Sequence, residues 1–537
     1  MSPVNYGDQK LESVSNKTLF EYADILNVRV PTSCGRNGKC HECIVEVKKG
    51  ISSLNTPTPA ESFLTQGFRL ACQTYIDDVD AEVQFNVLRR QPKILIESSQ
   101  KRLELDALTK MYDGNVYYDG KLIDKFKGVM YGLAIDIGTT TVVMNLLDLE
   151  TGEVKYITSF ENPQKFGGSD VMNRISYDTS EYQGELQKVM ISSINFEIGL
   201  MSRQLKFHRR CIYEIVVVGN ATMRDLFFGV DVTSIGEKPY KSKVEIEFNQ
   251  SKVKTTALNA KAKQIGLRVF PDANVYGGPL IGCHVGSDVA ADLLAVGMGN
   301  NEQIAMLVDV GTNTEVVVGN KDRMIAASCP AGPAFEGGEI KYGMPAYDGA
   351  IEHVQFERDI LKYKTISGVK PTGICGSGLI DLLAELKNTG KMNYLGVLEK
   401  GLDEFMIAPE HNLSLSRSDI SALAQAKAAN YCGQKIVLRE YGIMPEDVSN
   451  MYIAGGFGNY LDIKNAIGIG FIANVRLENI HRVGNTALQG ASQMLLSGRL
   501  RSQIEEICNN IEHIELETTE DFFELFVDGC QFNPMIM

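Results

Sequence analysis

The sequence predicts a multidomain protein in which a small β-rich domain precedes a larger, duplicated α/β unit. Three observations support this. Cysteines crowd into the stretch 34–43 near the N-terminus. From Tyr131 onward, runs rich in Val and Ile alternate with amphipathic stretches, which is typical of α/β folds. The pattern D-[IV]-G-T-x-T-x-V occurs twice in that second part. A length of 537 residues also favours several cores over one.

The composition excludes some classes of partner. The formal net charge is −14, whereas nucleic acid and anionic membrane surfaces attract basic faces. The N-terminus has no basic segment followed by an apolar one, and no apolar run reaches the ~18 residues of a transmembrane helix. We therefore expect a cytoplasmic protein that binds neither nucleic acid nor membrane.

Changes of pattern along the chain predict four regions. Residues 1–88 contain alternating, strand-like runs such as "HECIVEVKKG", and residues 89–128 are charged and are expected to form a linker with some helix or hairpin. Residues 129–210 would form a middle domain that carries the first copy of the repeat, and residues 211–537 a C-terminal domain with the second copy. A long helix is expected from a Ser/Asp cap near Ser416 to Gly442.

Four of the 11 cysteines are candidate metal ligands. Their spacing is C-x5-C-x2-C followed by a distant fourth, and they are Cys34, Cys40, Cys43 and Cys72. This is one residue longer at the first gap than the plant-type [2Fe–2S] pattern. Gly35 and Gly38 would let the loop bend tightly around a cluster. A [2Fe–2S] cluster is favoured, and a structural zinc site remains an alternative.

The segments "CGRNGKCHECIVEV" and "RLACQ" resemble the cluster loop and the fourth-ligand strand of [2Fe–2S] ferredoxin domains. The first gap matches the vertebrate and bacterial types better than the plant type. The resemblance implies a β-grasp, ferredoxin-like domain over roughly residues 10–88. His41, inside the loop, is expected to be exposed to solvent.

The repeat, Ala134–Leu146 and Leu307–Gly319, has the features of a nucleotide-phosphate site. The chain has no Walker loop. Two facing hairpins could instead supply backbone N–H groups, hydroxyls and an amide from Gly138, Thr139, Thr140, Thr141, Gly311, Thr312 and Asn313. Asp136 and Asp309 end the preceding strands, where they could hold Mg²⁺ through its waters.

Other segments could complete this site. In "YIAGGFGNYLDIKNAIG", Gly455, Gly456 and Gly458 would leave room for adenine and ribose, although a tight turn is the alternative. Asp288 and Glu336 are candidate carboxylates for positioning water. Asp288 could equally be a helix N-cap, and the loop around Glu336 could be a buried turn.

Together these segments resemble the superfamily of actin, Hsp70 and sugar kinases, known as ASKHA. The resemblance implies a duplicated α/β actin-like ATPase fold that binds ATP with Mg²⁺. A degenerate fold that has lost ATP binding remains an alternative.

The whole chain resembles the reductive activators of corrinoid proteins almost end to end. Further matching segments are "NPQKFGGSDVMNRI", "SCPAGPAFEGGEIKYGMPAYDGAIEHV" and "VGNTALQGAS". The resemblance implies ATP-dependent, one-electron reduction of Co(II) to Co(I) in a corrinoid protein of a methyltransferase system. It also implies an electron donor, a ferredoxin or a reductase, and a homodimer as one option.

Two details of the sequence bear on this resemblance. There is no D-x-H-x-x-G motif, so the corrinoid is expected on a partner protein. Pro330 departs from the family's more usual Ala-Ala-Gly-Pro, which leaves the client open. The alternatives are an activator of another low-potential metalloenzyme, a small-molecule kinase with a regulatory cluster, and an electron carrier whose ATPase half is only a scaffold.

Overall fold

A computed structural model describes residues 3–7, 9–88, 105–399, 401–456 and 458–537. The N-terminal domain is a mixed five-stranded sheet crossed by one helix, with strand order β2-β1-β5-β3-β4. Its elements are β1 (Pro3–Tyr6), β2 (Gln9–Glu12), α1 (Leu19–Ile25), β3 (Ile44–Lys49), β4 (Phe68–Leu70) and β5 (Val83–Val87). Helix α1 begins after Thr18, which forms a capping box with Glu21. This is the predicted β-grasp arrangement.

Part of the expected linker is a packed antiparallel sheet. It contains β6 (Thr109–Tyr112), β7 (Asn115–Tyr118) and β8 (Lys121–Lys125). Thr109 Oγ1 donates to Glu214 Oε2 at 2.6 Å, and Tyr213 Oη donates to Asp124 Oδ2 at 3.0 Å. These bonds attach the sheet to the body of the protein, so residues 109–125 are not an extended tether. Residues 89–104 of the expected linker lie outside the described residues.

The first lobe is a six-stranded sheet with order β11-β10-β9-β12-β14-β13 and flanking helices. Its elements are β9 (Tyr131–Ile137), β10 (Thr141–Asp148), β11 (Val154–Glu161), α2 (Val171–Asp178), α3 (Glu185–Gln204), β12 (Ile212–Gly219), α4 (Ala221–Phe228), α5 (Thr233–Gly236), α6 (Lys243–Asn249), β13 (Leu258–Lys261), α7 (Ala262–Ile265), β14 (Asn274–Gly277) and α8 (Ser287–Val296).

The second lobe has a sheet of order β24-β23-β15-β16-β17-β25. Its elements are β15 (Ala305–Val310), β16 (Thr314–Gly319), β17 (Met324–Cys329), β18 (Ala350–Glu357), β19 (Ile360–Thr365), β20 (Gly373–Ile374), α9 (Gly376–Asn388), β21 (Glu404–Ala408), β22 (Leu413–Ser416), α10 (Arg417–Tyr441), β23 (Asn450–Ala454), α11 (Ile463–Gly468), β24 (Ile480–Gly484), α12 (Thr486–Leu496), α13 (Gly498–Asn509), β25 (Ile511–His513) and α14 (Phe522–Gly529). Helix α10 is capped by Ser416 and ends at Gly442, as predicted.

The two lobes repeat one topology. In each lobe, three consecutive strands form an antiparallel sheet, and two later strands extend that sheet by parallel pairing. The two later strands are β12 and β14 in the first lobe and β23 and β24 in the second. The expected domain boundary at 210/211 falls inside the first sheet, because β12 pairs in parallel with β9. A parallel partner must return through a crossover, here α2 and α3, so the lobe continues past that point.

The ferredoxin-like domain and the first lobe share one apolar core. A separate core lies between the two lobes, where α8 and α12 pack together beneath the sheets. None of the helices in the described ranges combines the length and apolar character that a membrane span requires.

Candidate functional site

The cysteine loop lies between α1 and β3 and turns on residues with positive φ. Gly35 and Gly38 have φ of 70° and 78°. A Cβ on Gly38 would lie 3.0 Å from the Gln73 side chain and 3.1 Å from Ala60 Cβ. A side chain at position 38 would therefore be strained and crowded. The Gln73 side chain also orients the fourth thiol, because its Nε2 lies 3.4 Å from Cys72 Sγ.

The four thiols form two hydrogen-bonded pairs, Cys34 with Cys40 and Cys43 with Cys72. The hydrogen bond from Cys43 lowers the pKa of Cys72 to about 6 and raises that of Cys43. Burial opposes ionisation of Cys34, but the Asn37 backbone N–H and the Cys40 thiol lower its pKa to about 7. Two pairs of sulfurs, with backbone amides directed at at least one sulfur of each pair, fit a cluster of two irons.

The expectation that His41 is exposed is wrong. Its side chain is only 18% exposed, and its ring stacks on Phe63 with centroids 4.1 Å apart. Nδ1 lies 2.8 Å from Glu185 Oε2 and 3.1 Å from Lys188 Nζ, both on α3 of the first lobe. A loop residue next to two candidate ligands thus forms part of a domain interface, which the local sequence does not reveal.

Further contacts join the ferredoxin-like domain to the short 3₁₀ helix Pro163–Gly167 of the first lobe. Thr65 Oγ1 donates to the Phe166 carbonyl at 2.5 Å, and Lys165 Nζ lies 3.4 Å from Glu46 Oε2. Phe63 packs edge-on against Phe166 with centroids 5.6 Å apart. The ferredoxin-like domain is therefore attached to the segment that follows β11.

That same segment is bonded to the turn between β9 and β10, which is the first of the two predicted phosphate-binding turns (the first phosphate turn); the second phosphate turn lies between β15 and β16. Asn162 Nδ2 donates to the Gly138 carbonyl at 2.8 Å, and Asn162 N donates to the Thr140 carbonyl at 2.7 Å. Arg174 donates through Nη2 to the Thr139 carbonyl at 2.7 Å. A short run of residues thus connects the turn between β9 and β10 with the interface beneath the cysteine loop.

The two predicted turns face one another across a cavity of about 160 Å³ between the lobes. Gly138 N donates to Thr141 O at 2.9 Å and Gly311 N donates to Asn313 O at 3.0 Å, so a backbone hydrogen bond closes each turn, across three residues in the first and two in the second. The cavity is lined by these predicted residues: Asp136, Gly138, Thr139, Thr140, Thr141, Asp288, Asp309, Gly311, Thr312, Asn313, Glu336, Gly455 and Gly456.

The glycine segment after β23 lies at the same cavity. Gly455 has φ of 97°, and a Cβ there would lie 2.2 Å from the Val310 carbonyl oxygen. Only glycine therefore lets this strand end so close to the second phosphate turn. Gly458 begins a 3₁₀ helix, Gly458–Tyr460, and is not among the lining residues.

The floor of the cavity is strongly acidic. Burial raises the pKa of Asp136 to about 6, while burial and the neighbouring Asp136 raise that of Asp309 to about 7. Burial and the same neighbours raise the pKa of Asp288 and Asp292 well above the usual range. Neighbouring buried carboxyl groups repel one another when they ionise, so a bound cation would stabilise their charged forms.

A buried carboxylate oxygen without a hydrogen-bond partner also indicates a cation site. Asp292 is 1% exposed, and its Oδ2 has no hydrogen-bond partner, although Oδ1 accepts from Thr486 Oγ1 at 2.5 Å. Across the described residues, no three His, Cys, Asp or Glu side chains close on one point as a fully protein-liganded ion would require. Mg²⁺ usually keeps several waters, so carboxylates arranged around it at longer range fit this ion.

The two carboxylates suggested for positioning water lie in different settings. Asp288 is within the first turn of α8, whose N-cap is Gly286, so the N-cap alternative for Asp288 is wrong. Glu336 Oε2 accepts from Thr140 Oγ1 at 2.5 Å and from Thr312 Oγ1 at 2.6 Å. Glu336 therefore joins the two phosphate turns directly, and its loop is not simply a buried turn.

The sequence prediction missed a second repeated element at this cavity. Asn220 follows β12 and Asn485 follows β24, each in a Gly-Asn pair, and each caps the next helix. Asn220 Nδ2 donates to Thr139 Oγ1 at 3.1 Å, and Asn485 Nδ2 donates to Asp136 Oδ2 at 2.9 Å. The repeated G-N before a helix, "VGNATM" and "VGNTAL", is the signal that could have revealed both.

Three family models cover most of the chain. Residues 4–77 match the "2Fe-2S iron-sulfur cluster binding domain", residues 131–301 the "RACo middle region", and residues 303–537 the "C-terminal domain of RACo the ASKHA domain". The chain belongs to the family of reductive activators of corrinoid proteins. The N-terminal match favours a [2Fe–2S] cluster over the zinc alternative.

Similar proteins agree with this membership in the reductive activator family. The chain is 28% identical to the corrinoid activation enzyme RamQ of Eubacterium limosum, over 94% of each chain. It is 26% identical to the [Co(II) methylated amine-specific corrinoid protein] reductase of Methanosarcina barkeri, over 74% of this chain and 76% of that protein. A solved reductive activator for corrinoid, iron–sulfur protein matches with a TM-score of 0.72 and 29% identity, over 100% of this chain and 99% of that one. The protein is thus an enzymatic reductive activator with a ferredoxin domain and an actin-like fold.

Proposed function

We propose that this activator uses ATP to drive one-electron reduction of Co(II) to Co(I) in a corrinoid protein of a methyltransferase system. The observation that carries the proposal is the physical connection between the two sites. Asn162 is bonded to the first phosphate turn, and Phe166, four residues later, contacts the domain that carries the cysteine loop. The names of the relatives supply the class of client.

The cluster would be held by Cys34, Cys40, Cys43 and Cys72. The bound cluster supplies a single electron at low potential. The chain's own contribution is a loop whose Asn37 amide donates to Cys34, together with the Gln73 side chain that donates to Cys72. We further propose that a ferredoxin or a reductase delivers the electron, and that the protein acts as a cytoplasmic enzyme, with a homodimer as one arrangement.

In the nucleotide cleft, the backbone amides and hydroxyls of the two turns would bind the phosphates, with Gly455 and Gly456 beside the adenosine. Asp136 and Asp309 would hold Mg²⁺ through its waters. Asp288, on α8, would orient the attacking water by a hydrogen bond from its place in the lining of the cleft.

The pairing of sites has an energetic reason. Plant-type clusters have potentials near roughly −400 mV. Each ~59 mV of uphill one-electron transfer reduces the equilibrium constant about tenfold. Co(I) is a very strong reductant, so a ferredoxin alone would leave most of the cobalt as Co(II). A shape change that follows ATP binding or hydrolysis could supply the difference through the Asn162–Phe166 segment.

The test is anaerobic reduction of a Co(II) corrinoid protein encoded near this gene, with a chemical reductant and Mg·ATP, followed by the absorbance of Co(I). The proposal predicts Co(I) only when ATP is present. Equal formation of Co(I) without nucleotide would remove the ATP requirement. Normal ATP hydrolysis and a normal cluster spectrum without Co(I), across several corrinoid proteins, would indicate a different low-potential metalloenzyme as client.

A further inference from the structure

We propose that Glu336 is a latch that occupies the place of the terminal phosphate of ATP when the cleft holds no nucleotide. This inference rests on the proposed nucleotide site. A single carboxylate oxygen, Glu336 Oε2, accepts hydrogen bonds from Thr140 of the first lobe and Thr312 of the second, at 2.5 and 2.6 Å. The two hydroxyl oxygens are 3.4 Å apart, so one acceptor holds both turns together.

An anionic oxygen between two threonine hydroxyls is what a phosphate would offer at this position. Phosphate and carboxylate oxygens are both charged acceptors of short hydrogen bonds. They cannot share the position, because two negative charges a few ångströms apart repel one another. The terminal phosphate of ATP must therefore displace Glu336, whereas ADP, one phosphate shorter, does not have to.

The backbone around Glu336 is held firmly on both sides. Phe335 packs edge-on against Phe471 with centroids 5.0 Å apart. Gly337 has φ of 88°, and a Cβ there would lie 2.3 Å from Met344 N. Displacement of Glu336 is therefore expected to be a rotation of its side chain rather than a movement of the loop.

A second cavity, of about 200 Å³, offers a place for the displaced carboxylate. Glu336 and Thr140 line it together with Lys165, Arg174, Glu161 and Glu339. Arg174 is buried, and its guanidinium already interacts electrostatically with Glu336. Lys165 is bonded to Glu161 and to Glu46 of the ferredoxin-like domain. A carboxylate that enters this cavity would compete with Glu46 for Lys165, which links the latch to the cluster domain.

The test compares binding of ADP and of a non-hydrolysable ATP analogue, both with Mg²⁺, to the full-length, cluster-loaded protein by calorimetry. In Glu336→Ala, the latch predicts at least tenfold tighter binding of the analogue and less than a threefold change for ADP. Glu336→Gln, which keeps an acceptor without charge, should give an intermediate gain. Glu446→Gln, at an exposed carboxylate of the second lobe that lines neither cavity, is the control for loss of one negative charge and should match wild type.

Three outcomes would overturn the latch. Equal affinities of wild type and Glu336→Ala for the analogue would show that no competitor was removed. Loss of hydrolysis with unchanged affinities would assign Glu336 to positioning water instead. If wild type binds neither nucleotide, both the proposed nucleotide site and the latch are refuted. The first two outcomes refute the latch alone, because in them wild type still binds nucleotide. The cluster spectrum and circular dichroism of each variant establish that it is folded.

Discussion

The cysteine loop and the nucleotide cleft are built in opposite ways. Three of the four candidate sulfur ligands lie within residues 34–43, and a short loop positions them. The cleft is assembled from residues near 136, 309, 455 and 485, which only the folded lobes bring together. A local site depends on the conformation of one loop, whereas an assembled site depends on contacts between lobes. Each can therefore be removed while the other is retained.

The largest expected effect is loss of the cluster in Cys43→Ser. Cys43 is buried and pairs with Cys72, so its removal deprives one iron of a ligand. We expect the visible absorption of the cluster to disappear, while nucleotide binding persists. Cys508→Ser, at a buried thiol remote from the loop, is the control and should keep the spectrum. A wild-type spectrum in Cys43→Ser would refute the ligand assignment.

The next effect is loss of ATP hydrolysis in Asp309→Asn. If Asp309 holds Mg²⁺ as proposed, removal of its carboxylate weakens that hold, and we expect turnover to fall on the order of 100-fold. The cluster spectrum should not change. Asp322→Asn, on the exposed loop after β16, is the control for loss of one negative charge. Turnover equal to wild type in Asp309→Asn would place the metal elsewhere.

A smaller effect separates the two equivalent asparagines. Asn220→Ala and Asn485→Ala each remove a helix N-cap, which costs about 1 kcal/mol of folding free energy. Only Asn485 crosses between lobes to Asp136, whereas Asn220 bonds to Thr139 within one lobe, so Asn485→Ala should lower ATP turnover roughly tenfold more than Asn220→Ala does. Thermal unfolding and steady-state hydrolysis measure the two effects. Equal turnover in both variants would contradict a role for the cross-lobe bond.

The smallest effect tests the connection between the sites. Thr65→Val removes the hydrogen bond to the Phe166 carbonyl, an interaction worth about 1 kcal/mol. We expect the ratio of Co(I) formation rates with and without ATP to fall several-fold, with hydrolysis and the cluster spectrum intact. Thr56→Val, at an exposed site of the same domain, should leave the ratio unchanged. An unchanged ratio in Thr65→Val would exclude this contact from the coupling.

The sequence predicted what short patterns encode. The repeat around Asp136 and Asp309 predicted the duplicated lobes, and the caps at Ser416 and Gly442 predicted the limits of α10. The extent of the first lobe was not predicted, because pairing of β12 with β9 depends on a long crossover. Contacts between distant segments also escaped prediction, as for His41 with Glu185, since neither residue carries a local signal for the other.

The proposed function requires that nucleotide bound in the cleft drives the transfer of the electron that the cluster delivers. The most direct measurement is anaerobic Co(I) formation by wild type and by Asp309→Asn, with Mg·ATP, the same reductant and the same Co(II) corrinoid protein. We expect Asp309→Asn to retain its cluster spectrum and to produce almost no Co(I), while wild type produces Co(I) rapidly. Equal Co(I) formation by both proteins would contradict the claim and leave the ATPase lobes as a scaffold for an independent electron carrier.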